Sequence, residues 1–161
     1  MKEESLFQQM RFVRKRSLAA LDATTEEIAD AQPFGFVNNI RWNFGHIFVS
    51  QENLLARFTG EEVVLPEGYM HLFNGGTSPG EWPEEVPRLS ELRKELETQT
   101  ERLIHTYKGR LSEVGEKPFD LGGGIVFRTL DEVLNFTIWH EGLHQGTISA
   151  LKRAQGVENL F

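Results

Sequence analysis

The 161-residue chain contains no cysteine. That absence excludes disulfides, cysteine-ligated zinc and an internal thiol nucleophile, so any thiol chemistry must rely on a co-substrate. Long hydrophobic runs are missing too: none approaches the ~20 apolar residues that span a bilayer. The N-terminal MKEESLFQQMRFVRKRS lacks the apolar core and small-residue cleavage site of a signal peptide. A cytoplasmic protein without a membrane partner is expected. Basic charge is in deficit, with 17 Lys and Arg against 24 Asp and Glu and a formal net charge of −7. A chain of that sign repels phosphate backbones. Its basic cluster, Arg11 to Arg16, reads as a solvated helix face carrying Arg14, Lys15 and Arg16. Nucleic acid is not an expected partner.

What the sequence does have is helical periodicity. Hydrophobic residues at 39% and charged ones at 25% suit a soluble globular chain, and the length suits one domain over residues 1–161. Leu6, Met10, Val13, Ser17 and Leu21 form the seam of a helix over 3–22. TTEEIADAQ adds a short helical piece that runs into Pro33. A second long helix spans about 38–58 and closes at Thr59-Gly60. From Glu61 to Pro87, repeated Gly and Pro mark a long connector. Leu89, Leu92, Leu96, Gln99 and Leu103 set a third long helix over about 88–108. Residues 109–128 read as loop, with "GIVF" as a short extended piece. Thr129 and Glu132 form a capping-box pattern that opens a last helix running to about Ala154. Four long helices with almost no strand signal predict an all-α four-helix bundle. The long connector between the second and third suits a crossover joining parallel helices.

The last helix carries WHEGLHQG, in which His140-Glu141-Gly142-Leu143-His144 satisfies the H-E-x-x-H pattern of zinc proteases. On a helical wheel both histidines fall within the apolar stripe of Leu130, Val133, Phe136, Thr137, Ile148 and Leu151. Imidazoles one turn apart on one face can share a metal ion. A lone inward histidine is more often a core residue satisfied by hydrogen bonds. For a pair in the core seam the balance shifts to a ligand role, because both rings need polar partners. Gly142 between them costs about 1 kcal/mol relative to Ala in a helix interior.

The second long helix offers a third ligand. His46 lies in an uncharged polar seam, Asn39, Asn43, His46, Ser50 and Asn53, continued by Arg57 and flanked by Trp42 and Val49. The seam is either a wet face or a semi-buried pocket lined with hydrogen-bonding groups. His105 falls opposite the leucine seam of its helix, and His71 sits in the connector; neither is taken as a ligand. A protease is disfavoured. The extended zincin motif requires Gly and His where Thr147 and Ala150 stand, and no sheet upstream holds an extended peptide.

NNIRWNFGHI, followed much later by TLDEVLNFTIWHEGLHQGTISALKRAQG, resembles the DinB-like (YfiT-like) superfamily over nearly the whole chain. The shared layout is a histidine after a tryptophan on the second long helix and H-x-x-x-H on the last. The resemblance implies a four-helix bundle with a crossover, one divalent metal, zinc or nickel, held by His46, His140 and His144, and a homodimer. It also implies S-transfer from a small thiol of the bacillithiol type to an electrophile. A metal-dependent hydrolase and a non-catalytic stress-response module stay open as alternatives. Many relatives continue Arg-Gly-Gln after the second histidine of that motif, whereas this chain has Gln145-Gly146-Thr147. Three imidazoles leave a zinc position open for water or substrate, where the metal lowers the pKa of what binds. Trp42 and Trp139, or the polar seam, are expected to hold the electrophile. Asn43, one turn before His46, is expected to support a ligand. Glu141 either bonds a ligand's second nitrogen or handles a proton, unless it is a solvated helix glutamate.

Overall fold

The computed structural model describes residues 2–83 and 85–161. Helix α1 spans Glu3–Asp22, with Glu3 and Glu4 in its first turn, where the helix dipole favours acids. After the short α2, Glu26–Ala29, comes α3, Ile40–Thr59. It is capped by the Asn39 side chain accepting from the Trp42 amide, and closed by Gly60 at φ 78°, a left-handed position that glycine takes without penalty. The connector contains a short helix, α4, Tyr69–Phe73, and a 3₁₀ turn at Pro79–Glu81. Helix α5 spans Leu89–Tyr107. Strands β1, Val114–Gly122, and β2, Ile125–Thr129, pair antiparallel. Helix α6, Leu130–Ala154, begins where Glu132 accepts from the Thr129 amide at 3.0 Å.

The order of cross-helix bonds gives the helix directions. Along α1, Val13, Ser17 and Ala20 meet Gln145 and Lys152 of α6 in ascending order, so these two helices run parallel. Asn43 and Gln51 of α3 meet His144 and Thr137 in descending order, so α3 opposes α6. Arg11, Arg14 and Asp22 meet Glu101, Leu96 and Arg93, so α5 opposes α1. Helices α3 and α5 therefore share one direction, and the connector between them must return along their length.

The buried apolar side chains form two clusters. One gathers Ile40, Phe44, Phe48, Phe73, Leu92 and Leu151; the other gathers Leu6, Leu55, Phe58, Leu103, Leu130 and Leu134. Each long helix places buried polar residues between its contributions to the two: Arg14 and Ser17 on α1, Gln51 and Glu52 on α3, Gln99 on α5, Thr137 and Glu141 on α6. A polar layer at mid-height thus separates two apolar ends.

Two expectations are corrected. The stretch 109–128 holds a β-hairpin rather than a loop with one extended piece, and Gly122, Gly123 and Gly124 all adopt positive φ at its turn. Its first strand, VGEKPFDLG, is mostly exposed and lacks apolar alternation, so no strand period marks it. Arg14 does not belong to a solvated face; it is 3% exposed. No helix among the described residues is long and apolar enough to cross a membrane.

Candidate metal centre

Helices α3 and α6 bring His46, His140 and His144 together, with one nitrogen from each ring lying within 4.8 Å of the others. The Nε2 atoms of His140 and His144 are 3.3 Å apart. Two nitrogens bound at ~2.0–2.1 Å to one tetrahedral ion stand roughly 3.4 Å apart, so this pair already has the spacing of ligands.

Hydrogen bonds settle which nitrogen is free on two of the rings. His46 Nδ1–H donates to the Phe73 carbonyl at 2.7 Å; a carbonyl only accepts, so Nε2 keeps its lone pair. Asn43 Nδ2 donates to the Asn39 carbonyl at 2.7 Å, which turns Oδ1 toward His144. That oxygen accepts from His144 Nδ1–H at 2.7 Å, and again Nε2 is left free. His140 Nδ1 has Ser50 Oγ at 3.5 Å. Orienting a ligand ring through its second nitrogen is characteristic of metal-binding histidines.

Electrostatics favour the neutral rings that a cation needs. Burial holds His46 below the usual histidine value. Burial, then the nearby His46, pushes His140 down to about 4. Burial, then His140 and His46, pushes His144 down to about 3. At neutral pH three uncharged imidazoles face one point. A divalent cation fits this donor set.

Beside the histidines lies a cavity of about 260 Å³. His46 and His140 line it with Ser50, Asn53, Arg57 and Asn74, and Phe119 of β1 and Phe136 of α6 form apolar walls. Of the polar seam of α3, Asn43 meets α6, and His46, Ser50 and Asn53 line the cavity.

The family profile of the DinB superfamily matches residues 9–148. The chain belongs to the DinB superfamily. No curated protein matches it. Gln145, directly after the motif, donates to the Val13 carbonyl at 2.7 Å and to Ser17 Oγ at 2.8 Å, tying α6 to α1.

The other expected site residues fall as follows. The Trp42 ring stacks on His46 at 4.4 Å between centroids and 10° between planes, and Nε1 donates to Thr77 Oγ1 at 2.9 Å. It backs the histidine and does not line the cavity. Trp139 is 59% exposed and also lies outside that lining. Glu141 is neither solvated nor bonded to a ligand ring. It is buried, and its carboxylate accepts from Arg14 Nε and Nη2 at 2.9 and 3.1 Å and from Ser17 Oγ at 2.6 Å. His71 and His105 are exposed and stand apart from the cluster. Sequence reasoning missed the Phe73 carbonyl, which no side chain announces. It missed Phe119, which reaches the site only because the hairpin folds over it. The signal it could have used for Arg14 is position: one turn after Met10 on the inward seam.

Proposed function

We propose that this chain is a divalent-metal enzyme whose His46, His140 and His144 hold one zinc or nickel ion, and that it transfers a small thiol of the bacillithiol type to an electrophile in the cytoplasm. The observation that carries this reading is the convergence of three neutral rings, two with Nδ1 fixed as a donor, beside an open cavity. The bound ion would supply a position where a thiol ionises near neutral pH. The protein's own residues do the rest. Phe73 and Asn43 hold two rings in the ligand tautomer, Trp42 covers the back of His46, and Phe119 and Phe136 narrow the access of water. With no cysteine in the chain, the sulfur nucleophile comes from the co-substrate. Asn53, Ser50 and Asn74 are the groups available to orient it.

The architecture in this reading is a four-helix bundle of α1, α3, α5 and α6, with the connector from Glu61 to Pro87 as its crossover. The chain pairs as a homodimer, for which the exposed Phe12, Trp139 and Leu143 supply apolar surface. Elemental mass spectrometry on untagged protein tests the metal, with near one zinc or nickel per chain expected. His46→Ala should lose it; stoichiometric metal in that variant sinks the site. A panel of electrophiles should then turn over only with an added thiol. Turnover without thiol would instead identify a hydrolase, and none with either would leave a binding module.

A further inference from the structure

The polar seam of α3 continues past the histidine. His46, Ser50, Asn53 and Arg57 follow one another at spacings of four, three and four, and all four line the cavity. Arg57 is exposed, and its guanidinium holds no carboxylate among the described residues, in contrast to several arginines of this protein. Arg11, Arg41, Arg93 and Arg110 each hold a carboxylate at 2.6–2.8 Å. Arg57 has no hydrogen bond or ion pair among the described residues, and no Asp or Glu lines the cavity it borders. The lining of this cavity carries a cation and no acid, although Asp120 lines the adjoining cavity that Arg57 and Phe119 also border. A cation suits the last turn of α3, which accounts for a positive charge there but not for the absence of Asp and Glu from the lining on the histidine side.

We propose that Arg57 is the anion-binding end of the cavity. The ligand that occupies it is then a small molecule with a metal-binding donor atom at one end and a carboxylate at the other. A guanidinium matches a carboxylate with paired, charge-assisted hydrogen bonds. The eleven residue steps from His46 to Arg57 cover roughly 16 Å of helix axis. Helical side chains lean back toward the N-terminus, and the longer arginine reaches further back than the imidazole, which brings the guanidinium to on the order of 10 Å from the histidines. The cavity, at about 260 Å³, lies near the lower end of small-molecule sites. Ser50, Asn53 and Asn74 line the stretch between its two ends, which suits a polar, short-chain ligand. This inference rests on the metal reading above and narrows its co-substrate to an acidic thiol.

The test uses cobalt-loaded protein, whose absorption spectrum changes when a thiolate joins the metal. Mercaptohexanoate and mercaptohexanol share a sulfur and a chain length and differ in the terminal charge. On the natural protein the carboxylate is expected to bind roughly tenfold tighter or better, the worth of one charge-assisted contact. Arg57→Gln should abolish that preference and leave the affinity for the alcohol unchanged, and Arg57→Lys should restore part of it. Equal affinities on the natural protein overturn the role of Arg57, as does a preference that survives in Arg57→Gln. Cobalt that fails to load, or a spectrum that neither thiol perturbs, overturns the metal-thiol reading and this inference with it. Metal and thiols that bind without discrimination overturn the role of Arg57 alone.

Discussion

Asn43 and His144 meet across the interface of α3 and α6, with Oδ1 and Nδ1 2.7 Å apart. The asparagine cannot reverse its amide freely, because its nitrogen is engaged by the Asn39 carbonyl at 2.7 Å. One side chain thus sets both the tautomer and the tilt of a ligand ring.

Asn43→Ala should accordingly weaken metal binding about 10–100-fold, the usual effect of losing a ligand's supporting partner, while the helices stay folded. Competition with a chelator of known affinity reads this directly. Unchanged affinity in a well-folded variant would show that His144 needs no such support.

Glu141 stands next to His140 in sequence but does structural work. With Arg14 it forms a buried ion pair, and the same guanidinium donates to the Leu96 carbonyl at 2.7 Å and to Gln51 Oε1 at 3.1 Å. All four long helices meet at this point. Glu141→Gln should lower stability by about 3–5 kcal/mol, because it leaves a buried guanidinium without its counter-charge. Urea unfolding measures that loss. Pairing it with Arg14→Met should recover part of the loss. A Glu141→Gln protein of natural stability that has lost all turnover would instead assign the carboxylate to catalysis.

Much of this arrangement was legible in the sequence, for reasons that differ by element. The seam of Leu6, Met10, Val13, Ser17 and Leu21 faces inward as spacing predicts, and every one of these residues is buried. The i,i+4 histidines converge because a helix places them one turn apart. What stayed hidden depends on partners that no local pattern reports. Arg14 reads as exposed until Glu141, one residue past a histidine, turns out to be its counter-charge. The Phe73 carbonyl is backbone, and only the fold of the connector brings it to His46. Phe119 sits in a strand whose neighbours, Lys117, Pro118 and Asp120, conceal it.

Gly45 precedes His46 and is buried, and a Cβ added there would overlap the Phe73 ring. That ring belongs to the residue whose carbonyl holds His46 Nδ1. Gly45→Ala should therefore act on both stability and metal affinity. It should cost about 1–3 kcal/mol, as overpacking a core does, and weaken metal binding by up to about tenfold as the carbonyl is displaced. Thermal unfolding with and without metal separates the two effects. A variant with lower stability and natural metal affinity would show that the Phe73 contact tolerates the shift.

Acid should destabilise the metal-free protein through the histidines themselves. In the unfolded chain His140 and His144 titrate near the ordinary value of ~6.5, whereas in the folded protein they are pushed down to about 4 and about 3. Between these values the unfolded state binds protons that the folded state does not, so stability falls as pH drops from about 6.5 toward 4. Above pH 6.5 both states carry neutral rings and this contribution is flat. Urea midpoints of chelator-treated protein across this range should show an uptake on the order of two protons on unfolding. Replacing both histidines by Asn should flatten the profile. A natural protein whose stability rises as pH falls through that window would mean that the rings gain protons in the folded state, and a cluster of cationic imidazoles is no ligand set for a metal.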